Sequence, residues 1–263
     1  MRLRLRRSRK RVACTNLADR PSRCLTELPD VDEGTRQIIE QVQPFTMTSP
    51  ARITALCDAV RYLENHRIEG AVVECGVWQG GSMMAVAATL LNCQNPHRDL
   101  WLYDTFEGMT EPTASDVDYL GRAAASLLAQ QSPEDPDSIW CHAQLDFVKR
   151  NLQSTAYPMT QVHFLKGPVE QTIPAYCPNR IALLRLDTDW YESTRHELVH
   201  LMPRLVPGGV LIIDDYGHWQ GCRRAVDEYF RQNQISMLLN RIDYTGRIGV
   251  LNRPVFAGGN PAA

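Results

Sequence analysis

No apolar run in this chain approaches the ~20 residues that a membrane-spanning helix requires. No two of its eight cysteines stand in a Cys-x-x-Cys pair, and several, such as Cys75 in AVVECG, sit inside apolar stretches. That usage fits reduced, buried thiols in a cytoplasmic protein and speaks against a disulfide framework or a zinc knot. Val12 to Ser22 holds no apolar core of the kind a secretory signal needs. Internal repeats and low-complexity segments are absent. A soluble protein without a membrane partner is expected.

What is present is ordinary in bulk and uneven in detail. With 263 residues, 44% of them apolar and 22% charged, the chain has the length and composition of one large globular domain or two small ones. The net charge of -2 hides an arm in which Arg2, Arg4, Arg6, Arg7, Arg9, Lys10 and Arg11 meet no acid, so the rest of the chain is acidic. Such an arm can touch nucleic acid, an anionic membrane or the protein's own acidic face. The plainer reading, a tail outside the fold with no nucleic-acid partner, is adopted. Residues 1–50 are read as this arm plus a helical extension, and 51–263 as the functional domain.

Five near-continuous apolar segments follow: AVVECG (71–76), LWLYD (100–104), QVHFLK (161–166), IALLRLD (181–187) and GVLIIDD (209–215). Runs of this kind suit strands buried on both faces of a parallel sheet. Helical periodicity appears over 31–43 and 52–66, and between or after the strands over 82–92, 139–152, 191–204 and 220–233. Strands near 237–242 and 247–252, separated by DYTG, form an antiparallel hairpin if a tight turn lies between them. The expected fold is a Rossmann-like α/β domain. Its seven-stranded sheet is mostly parallel, with helices on both faces and an antiparallel C-terminal hairpin. The long stretch 111–157 hangs from the carboxyl end of the second strand, where an acceptor-binding lid belongs.

Three motifs carry chemistry. In VVECGVWQGGS, Gly76, Gly80 and Gly81 lie between a strand and the helix starting at Ser82. The spacing is not the Gly-x-Gly-x-x-Gly of a dinucleotide site, and Glu74 would repel a pyrophosphate but suits a ligand that carries an ammonium group. Asp104 ends the second strand, where an acid accepts ribose hydroxyls; Glu107 competes for that role. In LLRLDTDWYEST and VLIIDDYGHWQG, Asp187, Asp214 and Asp215 fall at the carboxyl ends of two strands. Clustered carboxylates need a cation, and all-oxygen ligation points to Mg²⁺, with Mn²⁺ or Ca²⁺ as substitutes. The competing reading makes one or two of these acids helix caps, and Asp189 is read as a non-ligand. His196, Glu197 and His200 spell a His-Glu-x-x-His, but on the helix that must cover the sheet and with no third ligand spaced for it. A zinc peptidase is therefore not expected.

VVECGVWQGGS, YDTFEGM, LRLDTDWYEST and LVPGGVLIIDDYGHWQGCRRAVDEY together closely resemble the macrocin O-methyltransferase family, which methylates sugar hydroxyls on macrolides and related natural products. The resemblance runs from about Met47 to the C-terminus. It implies a class I methyltransferase fold, S-adenosylmethionine as donor, and Mg²⁺ on Asp187, Asp214 and Asp215, with Asp187 also the base. By the same resemblance Glu74, Gly76, Val77, Trp78, Gly80, Gly81 and Ser82 line the methionine end of the donor. Asp104, with Thr105 and Phe106, holds its ribose, and adenine falls near Lys166 and Gly167. A homo-oligomer and a glycosylated small-molecule acceptor are implied too. Catechol-type methyltransferases share the metal logic but use a lysine near the metal, and the lysine nearest Asp187 in sequence is Lys166. A non-catalytic cofactor-binding partner is the alternative of another class, and its mark, a broken acidic set, is missing.

Overall fold

The computed structural model describes residues 28–133, 135 and 138–255, so the basic arm and Cys14 and Cys24 lie outside the described residues. The strands are β1 (Ala71–Cys75), β2 (Leu100–Asp104), β3 (Val162–Lys166), β4 (Ile181–Leu186), β5 (Leu205–Ile213), β6 (Asn240–Arg241) and β7 (Arg247–Val250). They form one sheet in the order β3-β2-β1-β4-β5-β7-β6. The first five are parallel, and β7 runs antiparallel to both β5 and β6. The order reverses between β1 and β4, which opens a crevice at their carboxyl ends where ligands of doubly wound sheets bind.

Alternation along the strands supplies two cores. Val72, Leu100, Leu102 and Ile212 face one side, under α1 (Glu33–Val42), α2 (Pro50–Asn65), α3 (Gly81–Asn92) and α5 (Leu145–Ser154). Val73, Cys75, Tyr103, Leu211 and Ile213 face the other, under α6 (Val169–Thr172), α7 (Tyr191–Leu201) and α8 (Gln220–Gln232). Burial on both faces is why these strands read as unbroken apolar runs. Among the described residues no helix is long and apolar enough to cross a membrane.

Several boundaries differ from those expected. The helix read over 139–152 begins only at Leu145, because the backbone of 139–141 is spent elsewhere: Met109 donates to the Trp140 carbonyl, and Cys141 takes a positive φ of 50°. A five-residue helix, α4 (Ala124–Leu128), lies instead within the preceding loop. β5 starts at Leu205, earlier than read, because its glycine pair absorbs a register shift against β4 instead of turning the chain. β6 keeps only two of its expected residues. Pro50 opens α2 at its first turn, two residues before the periodicity begins, with Ser49 capping the Arg52 amide.

Candidate active site

The floor of the crevice is set by Gly76. At φ 83° it leads β1 into the turn, and a side chain there would collide with the Asp187 carbonyl. The Asp187 amide donates to the Cys75 carbonyl at 2.9 Å, so the ends of β1 and β4 are drawn together. A cavity of about 270 Å³ opens over this junction. Gly76, Val77, Trp78, Ser82, Asp104 and Thr105 lie on its wall.

The other residues expected of the donor site lie behind that wall. Gly80 faces Leu152 and Val148, and Gly81 faces the Phe45 carbonyl, so both permit close packing of the chain on itself. Phe106 is buried against Phe164. Glu74 is buried too, and Arg185 occupies the position the sequence reading gave to a ligand's ammonium: its Nη1 donates to Glu74 Oε1 at 2.7 Å. Burial still pushes the Glu74 carboxyl up to about 7, and its Oε2 has no partner.

Asp104 organises the turn. Its carboxylate accepts the amides of Val77 (2.6 Å), Trp78 (3.0 Å) and Phe106 (2.6 Å). The Thr105 hydroxyl lies 3.4 Å from Asp104 Oδ1 but donates more closely to the Gly108 carbonyl at 2.6 Å, so one of the carboxylate's about four acceptor sites can take a hydroxyl from the cavity side. Glu107 points outward and pairs with Lys166 at 2.7 Å, which also removes that lysine from the acidic centre. Gly167 and Pro168, just past β3, line the cavity.

Asp187, Asp214 and Asp215 each bring a carboxylate oxygen within 4.8 Å of the others. Two arginines thread this cluster. Arg185 donates to Asp187 Oδ2 and to Asp214 Oδ1, each at 2.6 Å, and Arg52 pairs with Asp214 and, at 3.0 Å, with Asp243. Burial pushes Asp214 up, but the two guanidiniums outweigh it and hold its carboxyl below the usual range. Asp187 and Asp215 are raised well above it by burial and by their acidic neighbours, and burial lifts Asp189 to about 7. Asp215 Oδ2 is buried without a partner. Glu74, Asp187, Asp189, Asp214, Asp215 and Asp243 thus outnumber the two arginines around one cavity edge. An all-oxygen set with an orphaned buried oxygen, and with more carboxyls than guanidiniums to balance their ionisation, fits a hard divalent cation.

Sequence reasoning missed both arginines and the segment that brings one of them. Arg185 had a signal: it stands inside an apolar strand two residues before Asp187, hence on the same face of β4. Arg52 had none beyond a place on α2. The loop Phe45–Thr48 ahead of that helix also lines the cavity, and Thr48 Oγ1 reaches Asp214 at 3.3 Å. The His-Glu-x-x-His residues are apart from all this. His196 Nε2 lies 2.9 Å from the Ile173 carbonyl, and buried Glu197 accepts the Thr188 hydroxyl at 2.8 Å.

The sheet order is that of the class I methyltransferase fold, and the similarity to known proteins makes the chain an S-adenosylmethionine-dependent O-methyltransferase. The solved O-methyltransferase NovP matches with a TM-score of 0.68 at 29% identity, covering 80% of this chain and 83% of its own. The chain belongs to the macrocin O-methyltransferase (TylF) family, whose model matches residues 6–249. The 8-demethyl-8-(2,3-dimethoxy-alpha-L-rhamnosyl)-tetracenomycin-C 4'-O-methyltransferase of Streptomyces olivaceus is 35% identical, over 76% of this chain and 73% of its own. The mycinamicin III 3''-O-methyltransferase of Micromonospora griseorubida is also 35% identical, over 76% of each.

Proposed function

We propose that the chain methylates a sugar hydroxyl of a glycosylated natural product, with Asp187, Asp214 and Asp215 holding a divalent cation, Mg²⁺ by preference. The observation that carries this reading is the convergence of those three carboxylates beside the donor cavity. When bound, the donor offers a sulfonium methyl and the cation a Lewis acid that lowers the pKa of an acceptor hydroxyl. The chain's own residues do the rest. Asp187 is a quarter exposed and faces the cavity, so it can accept the hydroxyl proton. Arg185 and Arg52 keep the acidic edge in register before a ligand arrives. Gly76 to Trp78 and Asp104 hold the donor's methionine and ribose ends, and Gly108–Thr110, Ile139 and Cys141 with Phe45–Thr48 complete the cavity wall. The acceptors for which the two relatives are named, a rhamnosyl tetracenomycin and mycinamicin III, support a sugar over a catechol, as does the outward-facing Lys166.

The test is transfer of labelled methyl from S-adenosylmethionine to a panel of glycosylated polyketides, their aglycones and simple catechols. Transfer to glycosides alone, lost on chelation and restored by Mg²⁺, is expected. Transfer to aglycones or catechols, or full activity in chelator, would contradict the reading.

A further inference from the structure

Three rings from separate segments meet beside the cavity, two of them, His218 and Tyr244, on its lining. Tyr119 lies in the loop before α4, His218 follows the aspartate pair, and Tyr244 sits in the β6–β7 turn. Their centroids are 5.5 Å (Tyr119–His218), 6.3 Å (Tyr119–Tyr244) and 6.0 Å (His218–Tyr244) apart. Tyr119 is 54% and Tyr244 60% exposed. Exposed aromatics scattered singly are normal, whereas a contiguous set at the rim of a ligand cavity marks a binding surface.

The backbone fixes these rings relative to the acids. Asp118 bridges Trp219, and its buried carboxylate accepts the amides of Leu120 (2.9 Å) and Arg122 (2.8 Å), so Tyr119 stands on a locked turn. A side chain at Gly217 would collide with the Tyr244 carbonyl, and the Thr245 hydroxyl donates to the Asp214 carbonyl at 2.7 Å. The Tyr244 hydroxyl lies 3.2 Å from His218 Nδ1. Buried Trp219 packs edge-on against the same imidazole at 4.9 Å.

Polarity is graded outward. The carboxylates suit hydroxyls, His218 and Tyr244 line the cavity with them, and exposed Tyr119, outside the lining, packs against both rings. Asp187 lines the same cavity as His218 and Tyr244, so a sugar held at Asp187 has these rings within reach of its glycosidic side. We propose that Tyr119, His218 and Tyr244 form a recognition surface for the ring attached to the methylated sugar, an aromatic or apolar ring of the aglycone that packs on the tyrosine faces. Glycosides are thereby preferred over free sugars. The inference rests on the sugar-acceptor reading above.

The full-length chain, loaded with S-adenosylhomocysteine and Mg²⁺, is titrated with 4-nitrophenyl α-L-rhamnopyranoside, methyl α-L-rhamnopyranoside and 4-nitrophenol. Affinity and saturation-transfer NMR are read together. The wild type is expected to bind the aryl glycoside ~10-fold more tightly than the methyl glycoside, with the strongest saturation on the aryl protons. Tyr119→Ala/Tyr244→Ala is expected to remove that ~10-fold advantage and to change methyl glycoside affinity less than ~2-fold. Its melting temperature and S-adenosylhomocysteine affinity should stay at wild-type values. Failure of the wild type to bind the aryl glycoside, equal affinity for both glycosides, or an unchanged advantage in the double variant overturns the proposal. Binding of 4-nitrophenol as tight as the aryl glycoside, lost in the double variant and with no saturation on sugar protons, keeps the surface and overturns the sugar reading.

Discussion

Asp187→Asn should lower kcat by ~10³-fold, the middle of the range for losing a general base. Donor affinity should change little. The asparagine keeps the size of the side chain and its place after β4, so Gly76 still meets the Asp187 position's carbonyl and the donor wall is undisturbed. What disappears is a carboxylate of the cluster that is a quarter exposed and on the cavity wall. The variant also gives up one cation oxygen, so raising Mg²⁺ should restore cation occupancy without restoring rate. Stopped-flow or quench measurement of methyl transfer, beside calorimetric titration of the donor, separates the two effects. Wild-type turnover at saturating Mg²⁺ would remove Asp187 from the base role.

Arg185→Met should be the most destabilising substitution in the site. The guanidinium is 4% exposed and serves Glu74, Asp187 and Asp214 at once. Methionine fills much of the volume but leaves three acids without their shared cation. Removing one partner of a buried ion network costs about 3–5 kcal/mol, because the remaining charges stay buried. For a domain of this size that is a fall in Tm of roughly 6–20 °C. Mg²⁺ should recover part of the loss, since a cation that binds only the folded site stabilises it by mass action. Thermal melts of both proteins with chelator and with Mg²⁺ test this. A fall of less than ~1 kcal/mol would mean that the acids hold themselves together by sharing protons.

The parts of this architecture that were legible in the sequence are those that physics writes locally. Strands buried on both faces appear as apolar runs, and the acids at the ends of 100–104, 181–187 and 209–215 mark the ligand edge because ligands of doubly wound sheets bind at the carboxyl ends of the strands. The turn after Cys75 showed itself through Gly76. Glu74 was harder to place because its partner, Arg185, lies 111 residues away on a neighbouring strand. A lone acid near a glycine turn invites a ligand until its counter-ion is seen. The contribution of Phe45–Thr48 and the late start of the helix at Leu145 were not legible. Loops carry no periodicity, and their course depends on single backbone contacts such as Met109 to Trp140.

Mn²⁺, which can replace Mg²⁺ and is visible by electron paramagnetic resonance, offers the most direct measurement of the acidic site. The wild-type chain should bind one Mn²⁺ that Mg²⁺ displaces, and Asp214→Asn/Asp215→Asn should bind none while still binding S-adenosylmethionine. Equal Mn²⁺ binding by both proteins, or none by the wild type with donor present, would contradict a cation-assisted transfer and leave Arg52 and Arg185 as the only cations of the site.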